Sequence, residues 1–527
     1  MPKVDRSYGG RLFKQVDMVK QQGTLMKLSE YVEYDATGLA SLVAGGEVTA
    51  VELIRLARQA HDEVNSSINA VIEIYEDAET VAGADEGLFN GVPFLRKDVG
   101  VTEAGRLQEK GSRLFKGYRS NTDSYFFSCA RAAGLRTIGR TTTPEFAASD
   151  MTETILNGIT RNPWDLNRSA GGSSGGAAAA VAAGITPIAH GSDGGGSIRQ
   201  PAGWCGLVGM NPSRGRISGG PDRQESGFGL TREFVLCRTV RDMAAALDVF
   251  SGPQLGDAFI IIQPNRPYSE EMSQPTGHLR IGVARTSWGT VGLESEVLRA
   301  VESTASILEE MGHSVTDIEP PFKFEDFTKL RLDMTALWAR SLEESARAMG
   351  RTLSADTLEP VNLKFYERGR TRLLSLSSEI DESIRKMLVQ VAEAISGYDI
   401  LLTPTTSTVA RPHGGIYALT NEVVTLEEFM EAEYGACAHL GVFNVTGQPS
   451  VALPSGHSAD GLPISIQLVG RFGEEGTLVR VARDLEEARP WKHNRPELRA
   501  GKSLTDSAGR YQVADVSDSS KLLRLCR

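Results

Sequence analysis

The stretch Gly171–Pro201, GGSSGGAAAAVAAGITPIAHGSDGGGSIRQP, decides how the rest of the chain is read. It holds two glycine–serine clusters, GGSSGG and GSDGGGS, with Ser173 in the first and Ser197 in the second. An alanine-rich segment long enough for a short helix separates them. Glycine loses more backbone freedom on folding than any other residue, and is kept where the chain needs a positive φ or must approach another group closely. Two such clusters around a helix-length spacer suggest two backbone loops converging on one small reacting group. A flexible Gly/Ser linker is the plain alternative, but a linker has no use for the compact apolar run VAAGITPIA.

Ser197 follows three consecutive glycines, Gly194, Gly195 and Gly196. Successive peptide N–H groups without side chains can form a concave anion-binding nest. That places donors beside a hydroxyl, as an acyl-transfer nucleophile requires. A phosphate cradle competes with this reading, but neither cluster has the P-loop or dinucleotide-binding spacing. Neither matches the G-x-S-x-G nucleophile elbow either. A base is still needed, and no histidine is well placed; His190, beside the apolar run, reads as structural. Lys97, which ends the apolar run GVPFLRKDV, is the other candidate, although a surface position is the ordinary fate of a lysine. Its pKa would have to fall from about 10.4 to roughly 7–8 for work near neutral pH. Burial can do that.

Along the chain, one helix is expected around Leu12–Met26. A capping box at Thr49 starts a second, with Leu53, Ile54 and Ala57 at helical spacing. NAVIEIYE (68–75) reads as a strand. Asp123 is placed to cap a helix running through Arg131 and closed by Gly134, followed by the strand LRTIGRT. LRIGVA (279–284), an amphipathic helix from Val297 to Met311 and HSVTDIEP make a strand–helix–strand unit, the mark of α/β architecture. Residues 325–396 read as helical and charged. DILLTPTT (399–406) and PSVALP (449–454) look like buried strands, whereas the alternation in PISIQLVG (463–470) predicts a half-exposed or edge strand. No repeat or clear linker divides the chain, so one large α/β domain with helical arms is expected, with a polar, loosely held tail after Leu498.

The composition narrows the function further. The 527 residues carry 40% apolar and 23% charged side chains and a net charge of −11, ordinary values for a chain able to bury a large core. There is no basic run, which argues against a nucleic-acid partner. No stretch approaches about 18 consecutive apolar residues, and the first residues lack a signal-peptide core, so a cytoplasmic enzyme without a membrane partner is expected. The five cysteines and eight histidines are scattered without metal-ligand spacing, so no metal is expected.

The stretch 171–201 resembles the signature of the amidase signature family, serine hydrolases with a Ser–Ser–Lys triad. GVPFLRKD, GRTTTPEF, TRNPWDLNRSAGGSSGG and NVTGQPSVALP resemble further family blocks in the expected order. The resemblance covers most of residues 35–495. It implies a large mixed β-sheet covered by helices on both faces, with a helical N-terminal arm (1–70), the amidase domain (71–497) and the tail (498–527). It further implies Ser197 as nucleophile, Ser173 as a bridging serine after a cis peptide bond, and Lys97 as base. The N–H groups of Gly194–Ser197 match the oxyanion hole, and Asp193, Arg199 and Ser174 its structural support. Thr142 departs from the family pattern, which often has asparagine there, and Ala170 stands where proline or serine is common. No cofactor is implied, and a homodimer is an expected assembly.

TRNPWDLNRSAGGSSGGAAAAVAA and NPSRGRIS look most like the branch containing cyclic-dimer amidases of nylon oligomers. Together with Thr142, in a segment that can border the substrate, and the candidate pocket segments Phe146–Ile155 and Leu332–Trp338, which offer the apolar side chains Phe146, Met151, Ile155, Met334, Leu337 and Trp338, this points to small, largely apolar amides, anilides or nylon-like oligomers. Carbamate or urethane hydrolysis on the same triad, an amidotransferase subunit releasing ammonia from glutamine, and a non-catalytic binding protein of the same fold are the alternatives.

Overall fold

The structure, a computed structural model, describes residues 26–222, 229–372 and 376–502. Its frame is one mixed sheet of eleven strands among the described residues. In chain order these are β1 (Val71–Ile74), β2 (Pro93–Lys97), β3 (Arg136–Thr141), β4 (Ile188–Asp193), β5 (Val208–Asn211) and β6 (Arg232–Cys237). β7 (Arg280–Val283), β8 (Ser314–Asp317), β9 (Ile400–Pro404), β10 (Ser450–His457) and β11 (Pro463–Gly470) complete it. In space they run β1-β3-β2-β4-β6-β5-β10-β11-β9-β7-β8. The pairs β3/β2, β2/β4, β9/β7 and β7/β8 are parallel. The central strands from β4 to β9 pair antiparallel. A strand–helix–strand crossover builds each wing, as the 279–317 pattern predicted for one of them. Helices surround the sheet.

The N-terminal helices are α1 (Leu28–Tyr31), α2 (Ala36–Ala44) and α3 (Ala50–Ile68). The Thr49 box forms: the Thr49 hydroxyl accepts from Glu52 N at 3.2 Å, and the Glu52 carboxylate accepts from Thr49 N at 2.8 Å. Leu53, Ile54, Ala57, Ala60, Val64 and Ile68 then fall on one buried stripe, which joins the apolar cluster of the sheet. The helix expected around Leu12–Met26 falls almost wholly outside the described residues, as do 503–527 of the tail. The start of that tail is held: Ala500 is buried and its N–H donates to Ala183 O at 2.9 Å.

Two readings are corrected. The helix α4 (Tyr125–Ala132) is capped by Ser124, whose hydroxyl accepts from Phe127 N, and not by Asp123. Asp123 is drawn away by the Ala104 amide at 2.9 Å and by Arg131 at 2.7 Å. The second correction concerns β11. Every residue of this strand is buried, and it lies inside the sheet between β10 and β9. Its polar alternation is real, but Gln467 serves an internal network rather than water: it donates to Thr403 Oγ1 and His439 O and accepts from Arg199. Periodicity reports which side chains share a face and says nothing of whether that face meets solvent.

Helix α5 (Gly175–Ala182) is buried on all sides, which explains its composition of glycine, alanine and one valine. Larger side chains have no space: a Cβ at Gly176 would stand 2.5 Å from Thr142 N and 2.6 Å from Ala70 O. Both are backbone atoms, so the clash cannot be relieved by a rotamer change. Gly176→Ala is expected to destabilise the protein by about 2 kcal/mol or more, read as a lower denaturation midpoint. An unchanged midpoint would show that the backbone around α5 yields.

Candidate active site

Between the end of β4 at Asp193 and the start of helix α6 (Arg199–Cys205) lies a turn carrying Gly194–Ile198. Asp193 shapes it. One carboxylate oxygen accepts from Gly196 N at 2.7 Å, and the other from Ile198 N at 3.1 Å. The same carboxylate meets Arg199 through Nε and Nη2, each at 2.9 Å. Arg199 also donates to Gln467 Oε1 (2.7 Å), Asn444 Oδ1 (2.6 Å) and Leu440 O (3.1 Å). All of these groups are buried. Burial alone would raise the Asp193 pKa, but Arg199, Asn444 and the turn amides hold it well below the usual carboxylate range.

The first cluster supplies the facing loop. Its Gly172–Ser173 peptide is cis. Gly171 has φ +85°, and a Cβ at Gly172 would stand 2.6 Å from Ser149 O. The two loops are joined directly, since Ser174 N donates to Ser197 O at 3.1 Å. The convergence inferred from the two clusters is therefore physical.

Lys97, the last residue of β2, points its amine into this junction and is fully buried. Nζ lies 2.7 Å from Ser173 Oγ, 2.8 Å from Ser174 Oγ and 3.0 Å from Ser192 Oγ. Burial pushes the ammonium down to about 7, against the opposing pull of the Glu233 and Asp193 carboxylates. A neutral amine has two N–H donors and one lone pair, so one of these hydroxyls must donate to it; Ser173 is the nearest. Ser197 is half-buried, and among the described residues its hydroxyl makes no direct hydrogen bond. The Gly196 amide is taken by Asp193, whereas the amides of Gly195 and Ser197 have no internal partner among the described residues.

The remaining candidates pack in several different places. Phe146 and Trp338 meet edge to face at 5.8 Å, joining the two segments read as pocket walls. Met334 and Leu337 pack into the apolar cluster under the neighbouring helices. Met151 sits in a separate small cluster with Trp204 and Ala410. Ile155 is 54% exposed. Thr142 lies behind α5, hydrogen-bonded to Thr160 Oγ1 at 2.6 Å and to Ala70 O.

Several residues of the site escaped the sequence reading. Ser192 was within the quoted stretch and shares the face of β4 that carries His190, a period-two signal that was available. Arg331, on the helix Phe324–Asp333, donates to Gly194 O at 3.3 Å. Asp150, Glu433, Arg411 and Cys437 form a buried cluster, and burial pushes the Glu433 carboxyl and the Cys437 thiol up. Asp150 lies more than 200 residues from the other three in sequence, so no local pattern announces the cluster.

A sequence profile described as Amidase matches residues 52–479. The chain belongs to the amidase signature family and is a hydrolase acting on amide bonds. Among its relatives are the 6-aminohexanoate-cyclic-dimer hydrolases of Paenarthrobacter ureafaciens and of Pseudomonas sp. (strain NK87). The first is 37% identical over 479 residues, covering 88% of this chain and 96% of the relative. The second is 38% identical over 477 residues, with the same coverage of 88% and 96%. The solved structure of a 6-aminohexanoate cyclic dimer hydrolase complexed with substrate superposes with a TM-score of 0.84 at 36% identity, covering 89% of this chain and 99% of that one. A bacterial aryl acylamidase shares the fold, with a TM-score of 0.79 at 24% identity over 89% of this chain and 99% of its own.

Breaking a buried ion pair leaves an uncompensated charge. Arg199→Met, which strands Asp193, is expected to cost about 3–5 kcal/mol of stability. The measurement is the denaturant midpoint, and a value equal to that of the parent chain would contradict this role.

Proposed function

We propose that this enzyme hydrolyses small, largely apolar amides, nylon-like oligomers among them, through an acyl-enzyme on Ser197. The observation that carries the mechanism is the buried Lys97 amine, 2.7 Å from Ser173 Oγ at the junction of the two serine loops. The substrate class is supported by the relatives named for the 6-aminohexanoate cyclic dimer and by the aromatic wall of Phe146 and Trp338. Burying apolar ligand surface there would contribute ~25 cal/mol per Å².

In this reading Lys97 is neutral and takes the Ser173 proton as Ser173 takes one from Ser197. The Ser173–Ser197 contact closes when substrate arrives, as catalytic hydrogen bonds often do. Ser197 Oγ attacks the carbonyl carbon, and the developing oxyanion accepts from the amides of Gly195 and Ser197. The proton returns along the relay to the leaving nitrogen as the C–N bond breaks and the amine departs. Water, activated by the same relay, then attacks the ester and releases the acid. No metal or organic cofactor enters these steps.

Ser197→Ala is expected to lower kcat by a factor on the order of 10⁴ or more; a retained burst of first product would refute the nucleophile. Because the neutral amine is the base, rate should be lost as pH falls through about 7. Lys97→Arg, always charged, should not restore it, and near-parental activity in that variant would contradict the relay. Activity should survive EDTA. Across a panel of substrates, kcat/KM for an anilide or N-alkyl amide should exceed that for acetamide or glutamine by about tenfold, or ~1.4 kcal/mol. Preference for glutamine would overturn the substrate class and leave the triad standing.

A further inference from the structure

We propose that the buried pair His190–Glu233 is a positioning device for Lys97, holding its main chain in place and setting the electrostatic surroundings of its amine. The inference rests on the reading of Lys97 as the base. It begins at a gap in the sheet. β2 pairs with β4 only at Phe94↔Ile188 and Leu95↔Ala189, so the ladder has ended where Lys97 needs an acceptor for its N–H. His190 supplies it: Lys97 N donates to His190 Nδ1 at 3.2 Å. A buried amide left without a partner is destabilising.

That contact fixes the imidazole. Since Nδ1 accepts, the proton of the neutral ring is on Nε2, which donates to Glu233 on β6 at 2.9 Å. Burial keeps the ring neutral, with Lys97 and Arg96 acting in the same direction and Glu233 against them. From α4, uncharged Phe126 and Phe127 close around the ring at 4.9 and 5.4 Å. The carboxylate of Glu233 lies against the backbone of Gly100, where a Cβ would stand 2.8 Å from both of its oxygens. Gly100, three residues past Lys97, is thus a place where only glycine admits the carboxylate, and its φ of +103° requires glycine as well.

The charged groups facing Lys97 are Glu233 from β6 and Asp193 from β4. Asp193 is engaged by Arg199. Glu233 makes its direct side-chain contact with a neutral imidazole, so its negative charge acts on the amine through a buried medium. The sign follows: Glu233 favours the ammonium, and its removal should leave the amine neutral to lower pH.

The test uses pH profiles of kcat/KM with the full-length enzyme. Glu233→Gln should move the acid limb down by at least ~0.5 pH. His190→Phe, which fits the aromatic surroundings, should lower kcat about tenfold or more with little change in KM. His190→Gln, which can accept and donate as the imidazole does, should recover most of that loss. In the parent enzyme, nitrogen-15 spectra of the histidines should show His190 as the neutral Nε2–H tautomer at neutral pH. That measurement stands even if a variant fails to fold. An unmoved acid limb in Glu233→Gln, an unchanged kcat in His190→Phe, or an Nδ1–H ring would each overturn the inference. If Lys97→Ala itself retains activity, the reading of the base fails instead, and the two failures are separable.

Discussion

A guanidinium taken wholly out of water must have all its donors met, and Arg199 meets this condition. Its five N–H groups go to two oxygens of Asp193, to Asn444 and Gln467 side chains and to the Leu440 carbonyl. Those partners stand on β4, on β11 and on the helix Ala438–Thr446. β4 and β11 are separated in the sheet by β6, β5 and β10, so one ion ties the sheet together across three intervening strands. The glycine turn hangs from the same ion pair, because Asp193 also holds the amides of Gly196 and Ile198. Fixed in this way, the turn keeps its free amides aimed without reorganisation, which is what electrostatic stabilisation of a developing charge requires.

Lys97 is the opposite case. It too is fully buried, yet the atoms within reach of its amine are serine oxygens, and the carboxylates act from a distance. Arg199 meets a carboxylate at 2.9 Å; Lys97 has none in contact, and burial draws its amine toward neutrality. The two cations therefore differ in kind, one tied into the structure and the other, in the mechanism proposed above, available for proton transfer. An arginine and a lysine suit these parts because only the lysine can lose its proton at accessible cost.

Both serine loops and the α/β class were legible in the chain, because each is written locally as a glycine cluster or a strand–helix–strand alternation, whereas Lys97 was one candidate among ordinary lysines until the family resemblance singled it out. The β11 expectation failed because the polar face of that strand looks into the Arg199 network, and sequence alternation cannot distinguish a buried polar layer from water. Asp123 lost its capping role to Ser124 because a carboxylate near a helix start can be captured by a loop amide and an arginine. Arg331, Asn444 and Glu233 were invisible for a different reason. Their roles arise from tertiary placement, and nothing in their immediate neighbours marks them.

The loop around Ser173 is packed against other main chains: Ser149 and Asp150 lie under Gly172, and Pro201 lies under Gly171. A main chain has no rotamers with which to make room. Evolution therefore has almost no single-step moves available at this loop. The helix Phe324–Asp333 approaches the glycine turn through a side chain, Arg331 against Gly194, and the next helix, Thr335–Ala348, sets Trp338 against Phe146. Those contacts can be exchanged one at a time. New substrates would then be acquired by rewriting this helical rim, while the reacting groups are inherited unchanged.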